Sequence, residues 1–143
     1  MSPLRLSLVL VALGFTASSV FAQSSAPDTT APSSVVQRVQ QALSTGDASV
    51  LLTPAADRVE VNLFGTRTFY SRDQAFYVLQ NFFKEHGPRR FAVQDTVQTE
   101  STYFVTGTYW HVRDERPLRV FVRLSAAAAR WELQEVRVGT ERR

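Results

Sequence analysis

"FYSRDQAFYVLQNFFKEHGPRRF", residues Phe69–Phe91, is the stretch from which the fold can be read. It holds five of the chain's ten phenylalanines and two of its four tyrosines. Ser71 and Gln74 have the spacing of a capping box, in which each side chain satisfies a free backbone N–H at the start of a helix. Asp73 in the first turn, and Lys84 and His86 in the last, complement the helix dipole, and Gly87-Pro88 supplies the stop. At about 100° per residue, Ala75, Phe76, Leu79, Phe82 and Phe83 fall on one continuous stripe. The aromatic density is therefore mainly the packing face of one long helix. Tyr77, nearly opposite Leu79, is expected in water.

Upstream, Val35, Val36, Val39, Ala42 and Leu43 recur at helical spacing behind a second capping box, Ser34 with Gln37, and Gly46 follows as the stop. Asp47 can cap a short helix through "ASVLL", which Pro54 closes. "RVEVNLF" then alternates, Val59, Val61 and Leu63 against Glu60 and Asn62, as a half-buried strand does. Downstream, "RRFAVQDTVQ", "TYFVTGTYWHV", "LRVFVRL" and "WELQEVRV" read as four strands. Their links, "TES", "RDERP" and "SAAAA", are too short for parallel crossovers, so the strands form an antiparallel meander. The expectation is an α+β domain of order α-α-β-α-β-β-β-β. A curved, cone-shaped antiparallel sheet packs on N-terminal helices and one long helix.

The 143 residues, 44% hydrophobic and 20% charged, suit one domain. The opening "MSPLRLSLVLVALGFTASSVFAQ" has the parts of a secretory signal peptide: Arg5, an apolar run from Leu6 to Phe15, and Val20-Phe21-Ala22 before the cut. Residues 1–22 are assigned to that leader, 23–33 ("QSSAPDTTAPS") to a flexible linker and 34–143 to the domain, with a periplasmic or extracellular destination and no membrane span in the mature chain. The absence of cysteine excludes disulfides, thiolate metal sites and Cys nucleophiles, and two histidines exclude a His-rich metal site. A net charge of +3, falling to +2 without Arg5, does not advertise a nucleic-acid partner.

The order of elements over residues 34–138 resembles the nuclear transport factor two-like superfamily, or cystatin-like cone fold. Within it, "FYSRDQAFYVLQNFF", "YFVTG" and "WELQEVRV" resemble an uncharacterised domain-of-unknown-function family of secreted bacterial proteins. The superfamily resemblance implies a conical pocket between sheet and helices, in relatives that range from isomerases, hydrolases and cyclases to non-catalytic binding modules, so it does not choose a function. The narrower family brings no catalytic residues and no cofactor.

Pocket lining is expected from Phe76, Leu79, Phe83, Tyr103 and Tyr109. Asp95, sharing a strand face with Phe91 and Val93, would form an acid–base set with Tyr109 and His111 if both faces point inward. The plainer reading puts Asp95 in water and His111 at the edge beside "RDERP". Glu60 and Asn62 face either the pocket or solvent, and Gly107 marks a bend or a close approach. Phe104, Trp110, Arg119, Phe121 and Arg123 can share the other sheet face, and arginine with large aromatics is an interface composition. Arg123 is expected opposite Glu132. The favoured role is a non-catalytic module binding a small apolar ligand or a protein partner, as a homodimer. The alternatives are a cofactor-free acid–base enzyme, and attachment to an anionic polymer through Arg119, Arg123 and Arg137.

Overall fold

The computed structural model describes residues 33–141, so the leader and most of the linker lie outside the described residues. Three helices come first or early: α1 Ser33–Thr45, α2 Ala48–Leu52 and α3 Arg72–Glu85. Six strands, β1 Ala55–Leu63, β2 Thr66–Ser71, β3 Pro88–Gln98, β4 Thr102–His111, β5 Leu118–Ala127 and β6 Arg130–Thr140, make one sheet in the order β2-β1-β6-β5-β4-β3. Every neighbouring pair is antiparallel except β1 with β6, which is parallel.

The long helix forms where its signals lie. Ser71 Oγ accepts from the Gln74 N–H at 3.2 Å, and Gln74 Oε1 accepts from the Ser71 N–H at 3.1 Å. Its stripe of Ala75, Leu79, Phe82 and Phe83 is buried against the inner sheet face, while Tyr77 is 68% exposed. Burying each large apolar side chain contributes about 1.5–3 kcal/mol, and this burial ties the helix to the strands. Gly46 takes a φ of +72° beyond α1, and Asp47 caps α2 by accepting from Val50 N–H at 3.1 Å. The α1 helix starts at Ser33, which places Ser34 inside its first turn and not at its cap.

The element order differs from expectation by one strand. "TRTFYS" is β2, joined to β1 by the two-residue turn Phe64-Gly65, whose φ values are 54° and 90°. Two successive positive φ values match a tight hairpin to the twist of its strands. Phenylalanine is an unusual first residue there. Its ring is held by His86 at 5.3 Å and Phe82 at 6.4 Å between centroids, and its N–H donates to the Val138 carbonyl at 2.8 Å. The parallel β1–β6 pair closes the meander onto this hairpin.

Inside the sheet, Val120, Val122, Leu124, Leu133, Val136 and Tyr109 are completely or almost completely buried. Gly107 serves packing: a Cβ there would meet Phe91 Cε2 at 2.6 Å and the Ala92 carbonyl oxygen at 2.7 Å. The Phe91 ring lies across the glycine and fills the space a side chain would need. Two of the sheet's register shifts bear on the site: in β3 the extra residue is Gln94, between Val93 and Asp95, and in β6 it is Gln134, opposite the step from Arg123 to Leu124.

Candidate functional site

The inside of the cone is core. Leu79, Phe83 and Tyr109 belong to the main hydrophobic cluster, and Phe76 and Tyr103 pack against it. Neither of the two larger clefts is lined by any of these five. The proposed acid–base set is not assembled. The bulge at Gln94 shifts the alternation of β3, so that Phe91 and Val93 pair with the inward Tyr109 and Gly107 while Asp95 pairs with the outward Thr106. Asp95 is exposed, and its carboxylate accepts from the neighbouring Thr96 N–H at 2.8 Å. Asp95 thus lies in water, as the plainer reading has it, and the inward face on which the acid–base set depended is not formed.

Tyr109 and His111 do point inward, toward the C-terminal end of α3. The Tyr109 hydroxyl donates to the backbone carbonyl of His86, the C-cap residue of α3. Burial pushes the Tyr109 phenol well above its usual range, so it remains a neutral donor. The His86 ring stacks on Phe82 at 4.9 Å and lies 5.2 Å from the His111 ring. His111 is 4% exposed, and neither of its ring nitrogens has a hydrogen-bond partner, nor does His86 Nδ1. An imidazole left so carries a donor and an acceptor unmet, at a cost of about 1–3 kcal/mol for each buried group. Desolvation, followed by repulsion from His111 and Arg113, holds His86 below the usual histidine range. His111 is the last residue of β4, at the strand end beside "RDERP" as the plainer reading has it, yet it is buried. The two histidines border an open cleft of about 1110 Å3 with Phe64, Leu118, Arg113 and Glu141.

The outer sheet face carries the aromatic and arginine side chains expected to share it. Phe104 pairs with Arg123, Thr106 with Phe121 and Thr108 with Arg119, and the Phe104 and Phe121 rings are 5.6 Å apart. Trp110 continues this face under Arg90, whose guanidinium sits 4.9 Å above the indole. Arg137 covers Phe121 at the same distance, 4.9 Å. Phe104, Trp110 and Phe121 are half-buried beneath these stems.

Two carboxylates that the sequence left ambiguous or overlooked lie buried on this face. Glu60 and Glu135 are 4% and 5% exposed and are register partners across the parallel β1–β6 pair. Arg67 binds Glu60 at 2.5 Å, and Arg123 and Arg137 bind Glu135 at 3.2 and 2.6 Å. Arg123 therefore pairs with Glu135 and not with Glu132, because the register of β5 on β6, with Gln134 as an extra residue, sets Arg123 opposite Glu135 and Ser125 opposite Glu132. Glu132 pairs with Arg130 at 3.1 Å. Glu60 and Asn62 are on the outer face, Asn62 accepting from Gly65 N–H at 3.1 Å.

A curved, unclosed sheet filled from one side by a long helix is the architecture of the nuclear transport factor two-like class. One solved member of that class, an NTF-2 like protein of unknown function from Silicibacter pomeroyi, superimposes with a TM-score of 0.57 at 11% identity over 78% of this chain and 94% of its own. That likeness is one of fold; by family, the chain belongs to the one described as Domain of unknown function (DUF4783), whose model matches residues 36–139. The structure of a family protein from Bacteroides ovatus matches at 21% identity and a TM-score of 0.69, over 74% of this chain and 94% of that one. One from Bacteroides uniformis matches at 18% and 0.70, over 76% and 99%. No curated protein matches the sequence. Among the described residues no helix is long and apolar enough to cross a membrane.

Proposed function

We propose that the chain is an exported, non-catalytic binding module that works as a homodimer, a second copy seating on the outer face of β3–β6. The leader-like residues 1–22 support export. Support for the dimer rests on one observation: the row of Trp110, Phe104 and Phe121 beneath Arg90, Arg123 and Arg137, with Glu135 set among the arginines. The helices pack on the other side of the sheet, and among the described residues no element covers this row.

A second copy is the occupant this face fits best. The face carries a central aromatic strip whose flanking Arg67, Arg123 and Arg137 are already neutralised by Glu60 and Glu135, so a two-fold axis through the strip lets the rings of two copies pack on one another with those charges already paired. A one-signed polymer would gain the arginines but meet Glu60 and Glu135 as well. Three of the arginines, Arg119, Arg123 and Arg137, are already bound to carboxylates. An acid–base enzyme in the cone has lost its carboxylate, because Asp95 lies on the outside.

The experiment is light scattering on the folded chain and on Trp110→Asp and Phe121→Asp, with circular dichroism to confirm that each variant folds. The parent should have the mass of two chains and each variant that of one. A single-chain mass for the parent, or an unchanged two-chain mass for both variants, overturns the reading.

A further inference from the structure

The cleft at the end of α3 has no role in the dimer, yet its chemistry is particular. Of the charged side chains around it, Asp114 is bound to Arg116 at 3.2 Å, and Glu141 to Arg119 at 3.2 Å. Arg113 lines the cleft and has no ion-pair partner among the described residues. Glu85, which faces His86 from its own helix, borders the neighbouring depression with Tyr77 and Asn81 and not this cleft. One free positive charge therefore remains at the rim. Behind it stands His111, nine-tenths buried and lacking partners at both ring nitrogens. Phe64 supplies an apolar wall that is half exposed, at 49%, and Leu118 a second one.

We propose that this cleft binds a small carboxylic acid with an apolar or aromatic body, Arg113 and His111 holding the carboxylate and Phe64 and Leu118 receiving the body. A guanidinium presents two parallel N–H groups that match the two oxygens of a carboxylate. A buried imidazole with no partner gains a hydrogen bond it otherwise lacks, so the ligand recovers an existing deficit. The single unpaired cation favours a monoanion. The exposed Phe64 ring favours an apolar body over a fully hydrated inorganic ion.

Isothermal titration calorimetry of the full chain tests this with benzoate, its neutral analogue benzamide and inorganic phosphate as probes. Benzoate should bind with saturable heat at one site per chain. Benzamide and phosphate should each bind at least about tenfold more weakly, and Arg113→Gln should weaken benzoate by a similar factor. Arg113 is in an exposed loop, so this variant should fold. His111→Leu, verified as folded, should also lose affinity for benzoate. Absence of benzoate heat at millimolar concentration, equal binding of benzamide or phosphate, or unchanged benzoate affinity in either variant overturns the proposal. Because the dimer face lies outside the cone, the Trp110→Asp monomer should bind benzoate as the parent does. Failure of the dimer and failure of the cleft are therefore distinguishable.

Discussion

The hydroxyl of Tyr109, in the middle of the sheet, donates to the backbone carbonyl of His86 at the C-terminus of α3. This one bond joins strand to helix at the point where the helix leaves a carbonyl without an intrahelical partner. Tyr109→Phe removes the donor but keeps the ring between Phe82 and Phe83. Chemical denaturation should show a loss of about 1–3 kcal/mol with an unchanged denaturant slope. A loss below a few tenths of a kcal/mol would mean that water replaces the bond.

Gly107 and Phe91 should behave as a coupled pair. Gly107→Ala pushes a methyl into the Phe91 ring and the Ala92 carbonyl, and the backbone carbonyl cannot yield as a side chain can. The expected cost is about 1–3 kcal/mol from overpacking. Combined with Phe91→Leu, the two losses should sum to less than their separate values, since the smaller side chain vacates part of the space. Strict additivity in thermal or chemical unfolding would contradict this packing.

The buried carboxylate Glu60 makes an asymmetric prediction. Its side chain is 5% exposed while that of its partner Arg67 is 61% exposed. Arg67→Met leaves a nearly buried carboxylate beside Glu135 and should cost about 1–3 kcal/mol, toward the lower end because water screens the pair from the arginine side. Adding Glu60→Gln to that variant should restore part of the loss, because the unpaired charge is gone. Further destabilisation by the second substitution would count against a charge-burial origin.

Stability should fall on mild acidification. Burial chiefly, aided by His111 and Arg113, holds His86 below its ordinary 6.5 in the folded chain. On lowering the pH through 6.5, the unfolded chain takes up this proton before the folded chain does, so folding loses stability from there down to the folded-state value. Above 6.5 the contribution is complete. His86→Phe keeps the stack on Phe82 and should flatten the melting temperature between neutral and mildly acidic pH. An equally steep profile in this variant would place the titration elsewhere.

The sequence disclosed the elements whose signals are local. The Ser71–Gln74 box, the Leu79 stripe and the Asp47 cap each lie within a few residues and reappear in the structure as hydrogen bonds or burial. It hid what depends on a bulge or on a distant partner. One extra residue at Gln94 turns Asp95 outward, and the register of β5 on β6, with its extra residue at Gln134, sets Arg123 opposite Glu135 and Ser125 opposite Glu132. β2 escaped notice because its turn begins with Phe64, where asparagine or aspartate is the usual sign, and its side chains are mostly exposed. His86 and His111 were each visible, but their contact exists only once α3 and β4 are packed. The aromatic and arginine set on β4 and β5 was legible because strict alternation held along both strands.

Trp110 offers the most direct view of the proposed dimer face. The chain has two tryptophans, so in a Trp131→Phe background Trp110 alone reports. Acrylamide quenching of its fluorescence should be weak while the chain is paired. It should rise severalfold when Phe121→Asp is added to break the pair, with circular dichroism unchanged. Equal quenching in the two folded proteins would mean that no second copy covers Trp110, and would contradict the account.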